Sequence, residues 1–210
     1  MVRSYALSDD ARAERDAKKQ ATRDALISAA RDLFAAKGYD RTSVTEIGRK
    51  AGVSHTLINA YFGGKAGLLA RVVHGTNAPQ AAITRELLEQ DRPALGVIRD
   101  VLNHWASADL ADRSLLAVLQ ATSWQWDAEY ETENRKERAV FTSAMADLVA
   151  RARISGEATG EVAPADVAEA IFAIYTWGMR SALFEELEPV GAIDAIWPQI
   201  CAVLGVRSGE

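Results

Sequence analysis

The chain has 210 residues, 49% of them hydrophobic and 25% charged, with a formal charge of −5 at neutral pH. That balance belongs to a globular protein with a substantial core rather than a disordered chain, and the lone Cys201, set among apolar neighbours, excludes a disulfide framework and reads as a buried, inert thiol. Apolar runs break within about a dozen positions, short of the roughly 20 that a bilayer span needs, and the N-terminus is charged where a secretion signal is apolar, so a cytoplasmic protein with no membrane partner is expected.

Charge is unevenly spread. Residues 1–65 carry 12 Lys and Arg against 8 Asp and Glu, whereas residues 66–210 carry 12 against 21. A basic first third on an acidic remainder is the distribution expected when one end approaches a polyanion.

In chain order, residues 1–20 form a charged arm or an extension of the first helix. From Thr22 the apolar positions Leu26, Ala30, Leu33 and Phe34 recur at helical spacing, and Gly38 follows Lys37 as a C-terminal stop. Ser43-Val-Thr-Glu46 is a capping box, so a second helix starts at Val44, buries Val44, Ile47 and Ala51, and stops at Gly52. Ser54 then supplies a second N-cap only two residues later. Two helices joined by so little chain meet at a steep angle, which is a helix-turn-helix. On the third helix Ile58 and Phe62 face inward, leaving His55, Thr56, Asn59 and Ala60 outward. A fourth helix follows Gly63-Gly64 with Leu68, Leu69, Val72 and Val73 on one stripe. The remainder reads as helices near 78–90, 93–107, 113–126, 129–154, 165–186 and 193–204, with Pro198 kinking the last or marking its first turn. No strand-like alternation is sustained. The expected fold is therefore all-α: a charged arm (1–20), a three-helix helix-turn-helix bundle (21–66) and a larger helical domain (67–210).

Enzyme chemistry finds no foothold. His55, His74 and His104 fall on separate segments without metal-ligand spacing, no glycine-rich loop follows a strand, and no serine sits in a nucleophile elbow. Neither catalytic residues, nor a metal, nor a cofactor is expected.

The run GYDRTSVTEIGRKAGVSHTLINAYFGGKAGLL, Gly38 to Leu69, resembles the DNA-binding domain of TetR/AcrR-type transcriptional regulators. The likeness rests on the glycine and aromatic before Thr-Ser-Val, the Ala-Gly-Val-Ser turn, the Tyr-Phe pair and the lysine three residues after it. It implies a repressor that binds a palindromic double-stranded operator as a homodimer and is released by a small-molecule effector. Under that resemblance Thr42, Ser43 and the amides opening the second helix meet phosphates, Thr45 reaches the DNA, and His55, Thr56 and Asn59, launched by Ser54, enter the major groove. Tyr61 and Lys65 match backbone-clamping positions. Asn59 stands where the family is usually aromatic, Thr56 where it is usually small, and Gly63-Gly64 where it is usually polar, the last suggesting a looser hinge.

The resemblance further implies that the acidic helical region binds the effector and dimerises. All five tryptophans lie after residue 100, and Trp105, Trp124 and Trp177, with His104 and Tyr175, are the candidate cavity walls. The acidic run SWQWDAEYETE, Ser123 to Glu133, would favour a cationic effector. Val167, Ile171, Ile174, Gly178 and Met179, with Ile193, Ile196, Ile200 and Val203, make two apolar stripes that look too extensive for one helix pair to shield, and so are expected to pair across a two-fold axis. The alternative is an all-helical carrier or sequestering protein whose N-terminal bundle no longer reads specific DNA.

Overall fold

The computed structural model describes residues 9–122 and 128–206. These residues form nine helices: α1 (Asp9–Lys37), α2 (Val44–Ala51), α3 (Thr56–Phe62), α4 (Lys65–Leu88), α5 (Ala94–Ala111), α6 (Arg113–Thr122), α7 (Ala128–Ile154), α8 (Pro164–Phe184) and α9 (Pro189–Leu204). Among the described residues there is no strand, and no helix is long and apolar enough to cross a membrane. The chain divides into two compact units between Val73 and His74, inside α4.

Unit 1 closes on the side chains the helical spacing selects. Leu26, Ala30 and Phe34 of α1, Ile47 of α2, Ile58 and Phe62 of α3, and Leu68, Leu69 and Val72 of α4 are all buried. Burying an aliphatic or aromatic side chain of this kind stabilises by about 1.5–3 kcal/mol, which is how helices as short as α2 and α3 persist.

Unit 2 packs α5, α7, α8 and α9 around one core that runs from Ala94 through Phe141, Met145 and Leu148 to Leu204. Its ends are fastened by charged side chains reaching far along the chain. The α5 amides of Ala94 and Leu95, left without helical acceptors, both donate to the Glu157 carboxylate at 3.0 Å. The Arg151 guanidinium donates to the carbonyls of Leu88, Gln90 and Arg92, where α4 ends and the chain turns into α5. Both belong to or follow α7, so one helix end holds the joint between two others.

Several expectations shift. Of the two readings of residues 1–20, the extension of the first helix is the one seen from Asp9 onward, since α1 runs Asp9–Lys37. α4 is a single helix of 24 residues, not two separated near residue 77. α9 starts at Pro189, and Pro198 lies inside it rather than at its first turn.

The largest correction concerns the stripes assigned to dimerisation. Ile171, Gly178, Ile193, Ile196 and Ile200 are buried within the chain's own core, and Ile174 is partly buried against it. The stripes are shielded because α5 and α7 also pack on α8, and α5 on α9, so a second chain is not needed to cover them. Gly178 serves the same internal contact: a Cβ there would lie 2.5 Å from Ile196 Cγ2, so its absence lets α8 and α9 approach.

Candidate nucleic-acid interface

The helix-turn-helix is built from local chemistry. Ser43 caps α2 in extended backbone; its hydroxyl accepts from the Glu46 amide at 3.2 Å, and its own amide donates to Glu46 Oε2 at 3.0 Å. Lys37 Nζ donates to the other Glu46 oxygen at 2.5 Å. Lys37, then the Ser43 amide and hydroxyl, hold the Glu46 carboxyl down to about 2. α2 stops at Gly52, whose positive φ of 69° suits glycine, and whose amide donates to the Arg49 carbonyl at 3.2 Å.

What permits the tight turn is Gly48. A Cβ at this position would lie 2.8 Å from the His55 amide nitrogen and 2.9 Å from His55 Cα. The start of α3 therefore rests directly on the backbone of α2. Nothing in the apolar periodicity singled this residue out; the available signal was a glycine inside a helix that otherwise favours side chains.

α3 opens one residue later than expected, with His55 rather than Ser54 as its N-cap. The Ser54 hydroxyl instead lies 2.8 Å from the Thr56 hydroxyl, and the Thr56 amide approaches it at 3.4 Å. His55, Thr56, Asn59 and Ala60 are exposed, as are Ser43, Thr45 and Ser54, while Tyr61 is partly buried. At its far end α3 stops at Gly63, with φ 70°, followed by Gly64 at φ 128°; both angles lie where a side chain is strained.

Two residues assigned to phosphate contact do something else. Thr42 is 1% exposed, and its hydroxyl is directed at the carbonyls of Gly38 (2.8 Å) and Leu33 (3.2 Å), so it closes the turn after α1 rather than facing a ligand. Lys65 Nζ donates to the carbonyls of Tyr39 (2.9 Å) and Thr42 (3.0 Å) and sits 4.1 Å from the Tyr39 ring centre. Burial pushes its pKa down, opposed by Asp40. The lysine fastens the loop between α1 and α2 from the first turn of α4.

In unit 2 the structure brings together some of the assigned cavity residues and separates others. Trp105 donates from Nε1 to the Thr84 hydroxyl at 2.8 Å and packs edge-on against Phe141, ring centres 5.0 Å apart. Phe141 in turn meets Phe172 at 5.6 Å and Tyr175 at 6.5 Å. His104 is partly buried, with Nε2 lacking a partner among the described residues. Trp177 lies apart: it is 70% exposed on α8, with the Arg180 guanidinium 5.9 Å from its ring centre. It borders an open groove of about 1030 Å³ between α6, α7 and α8, together with Leu119, Phe172, Arg138 and Arg180. Trp124, and residues 123–127 of the acidic run from Ser123 to Glu133, lie outside the described residues.

Sequence reasoning did not find Asp109. Its carboxylate accepts a 2.7 Å bond from the buried Tyr175 hydroxyl, 66 residues away, and pairs with no cation among the described residues. Burial pushes its pKa up to about 6, against the pull of the Tyr175 hydrogen bond. A folded-state pKa above the unfolded value of about 3.9 means that the folded chain takes up the proton first, so this group's penalty is present at neutral pH and disappears as pH falls from about 7 to about 4. Asp109→Asn is therefore expected to stabilise unit 2 at pH 7.5 by on the order of 2 kcal/mol, with the advantage shrinking at pH 5. Urea unfolding followed by tryptophan fluorescence checks this, and an advantage that does not shrink on acidification would refute the assignment.

Residues 26–72 match the family described as bacterial regulatory proteins, tetR family. Unit 1 carries a tetR-family domain. A stretch of 80 residues is 38% identical to the HTH-type transcriptional repressor BdcR of Escherichia coli (strain K12), covering 38% of this chain and 41% of that relative. The chain thus matches about two fifths of the curated relative's length. Among solved structures, NalD, the secondary repressor of the MexAB-OprM multidrug efflux pump in Pseudomonas aeruginosa, superposes with a TM-score of 0.68 at 23% identity, covering 93% of this chain and all of that one. FadR from Bacillus subtilis, in complex with stearoyl-CoA, gives a TM-score of 0.72 at 18% identity over 87% of this chain and 98% of that one. At such identities the likeness is one of fold: the tetR-type domain is followed by the same kind of helical body. The family that matches consists of transcriptional regulators rather than enzymes. Among the described residues no cluster of His, Cys, Asp and Glu is placed to hold a metal ion.

Proposed function

We propose that the chain is a cytoplasmic, ligand-responsive repressor that binds a palindromic operator as a homodimer and releases it when a small molecule occupies unit 2. The observation that carries this reading is the exposed ridge of His55, Thr56 and Asn59 on a helix seated directly upon α2 at Gly48. A short helix held this firmly, with these three side chains exposed, fits a major groove about 12 Å wide. Asn59 would offer an amide donor and acceptor to adenine, Thr56 a methyl to thymine, and Ser43, Thr45, Tyr61 and the amides opening α2 would meet phosphates.

Effector control is supported by the solved regulators of the same fold, two of which hold acyl-CoA. In this reading the aromatic cluster of Trp105, Phe141 and Tyr175, with Trp105 bonded to Thr84 of α4, is the effector-responsive element of unit 2. An effector binding only one arrangement shifts the population away from the DNA-competent state.

Dimerisation is reassigned to the outward faces of α8 and α9. On α8 these carry Glu169, Ala173, Trp177, Arg180 and Phe184, all exposed; on α9, Asp194, Ala195, Pro198 and Ala202. An α8 helix paired antiparallel with its own copy sets Glu169 against Arg180 of the partner subunit, with Ala173 and Trp177 between, so the face is self-complementary. Two reading heads held this way would address half-sites about 34–36 Å apart.

Selection of bound duplexes from a random pool tests the reading. Wild type is expected to enrich a palindrome, and Asn59→Ala to relax preference at one base pair per half-site, at about 1–3 kcal/mol. A wild-type protein that enriches no sequence in dilute salt would sink it.

A further inference from the structure

The first turns of α1 carry a charge pattern that the helix-turn-helix reading leaves unused. Arg12, Arg15, Lys19 and Arg23 follow one another at three- and four-residue spacing, and the same spacing continues through Leu26, Ala30 and Phe34. Residues so spaced share one face of a helix. The face that is apolar and buried inside the bundle thus becomes cationic where α1 runs ahead of it, for about three turns or roughly 16 Å. Asp10 and Glu14 fall on the opposite side, and Asp16 at its edge. Arg12, Arg15 and Lys19 are exposed, and none of them enters an ion pair among the described residues.

A second observation fixes which way this stripe faces. Lys19 Nζ and the Arg23 guanidinium both lie 5.8 Å from the ring centre of Tyr61, and Arg23 is 5.5 Å from that of Phe62. Tyr61 and Phe62 end α3, the reading helix. The cationic stripe is therefore continuous with the candidate DNA surface rather than turned from it. A duplex offers one negative charge per about 1.7 Å of axis, so a strand passing Tyr61 meets the stripe next.

We propose that the N-terminal turns of α1 form a second DNA-contacting surface, in which Arg12, Arg15 and Lys19 lie along the sugar–phosphate backbone flanking each half-site, with Arg23 bracing Tyr61 at the junction. This rests on the operator-binding reading and extends it from the helix-turn-helix to the flanking duplex. Contacts of this class carry no base information, so they add affinity and salt dependence without altering the selected sequence. The face is cationic on one side only, which is why the even balance of charge along the segment conceals it.

The test compares wild type with Arg12→Gln/Arg15→Gln/Lys19→Gln on the selected palindrome and on the same palindrome trimmed of flanking base pairs, across a salt series. Arg23, packed on Phe62, is left intact so that the bundle's folding is not disturbed. The slope of log affinity against log salt is expected to fall by roughly 5 units in the triple variant, about 0.9 per phosphate contact for three contacts at each of two half-sites, on the long duplex only, with the selected sequence unchanged. Restoring charge with Arg12→Lys/Arg15→Lys is expected to retain the wild-type slope. A control triple in unit 2, Arg85→Gln/Arg135→Gln/Lys136→Gln, removes equal charge and is expected to leave the slope alone. An unchanged slope in the α1 triple, an equal loss in the control, or the same loss on the trimmed duplex overturns the proposal while wild-type selection still stands. If wild type itself selects no sequence, the operator-binding reading has failed, and the α1 surface falls with it.

Discussion

Gly48→Ala is expected to weaken binding to the selected operator by about ten- to a hundredfold while leaving unit 2 folded. The added methyl would sit 2.8–2.9 Å from backbone atoms of His55, and backbone cannot swing aside as a long side chain does. α3 must instead slide or tilt away from α2. Because His55, Thr56 and Asn59 sit on or at the start of this short helix, any displacement moves all three groups proposed to read bases at once. Overpacking of this kind costs about 1–3 kcal/mol wherever the strain is taken up, in unit 1 stability or in docking. Gly75→Ala is the control: a Cβ there meets nothing within 4 Å, and alanine favours the helix, so operator binding should be kept. Since all five tryptophans lie after residue 100, their fluorescence reports on unit 2 alone and separates a local fault from global unfolding. Operator affinity that survives Gly48→Ala intact would show that the α2–α3 contact does not position the reading helix.

Much of unit 1 was legible because its signals are local. The capping box at Ser43 and Glu46, the left-handed glycine at position 52 and the apolar spacing of Leu26, Ala30, Ile58 and Phe62 each act within four or five residues, and each has its expected structural counterpart. Gly48 escaped notice since its reason lies seven residues away, across a turn. The single length of α4 was hidden by Gly75, Thr76, Asn77 and Pro79, all poor helix formers that read as a break and that the helix nevertheless spans. Lys65 and Thr42 looked like ligand contacts from their motif, but polar groups near a loop full of unsatisfied carbonyls are drawn to those carbonyls first. In unit 2 the inward and outward faces of α8 could not be told apart from one helix pair, because what buries Ile171 and Tyr175 comes from α5 and α7. The Asp109–Tyr175 bond joins residues 66 apart and leaves no mark on periodicity.

That exchange of faces on α8 makes a sharp prediction. Trp177→Glu/Phe184→Glu is expected to turn a dimer into a monomer in sedimentation velocity and to lower operator affinity by about a hundredfold, as the second half-site ceases to be bound at high effective concentration. The two side chains are 70% and 75% exposed and neighbour Arg180, so within a single chain the new carboxylates remain solvated and the fold has no reason to suffer. Between two copies the same carboxylates would be desolvated within the apolar contact, which costs far more than the lost apolar area. Gly178→Val supplies the opposite signature from a position one residue away. Its Cβ would press into Ile196 at 2.5 Å, so it is expected to lower the urea midpoint of unit 2 even at protein concentrations where wild type is itself monomeric, whereas the double glutamate variant should leave that monomer midpoint in place. A dimer that withstands the double variant would remove the outward α8 face from the interface and return the two-fold axis to some other surface. A loss of dimer accompanied by a lower monomer midpoint would mean instead that Trp177 and Phe184 support the single chain.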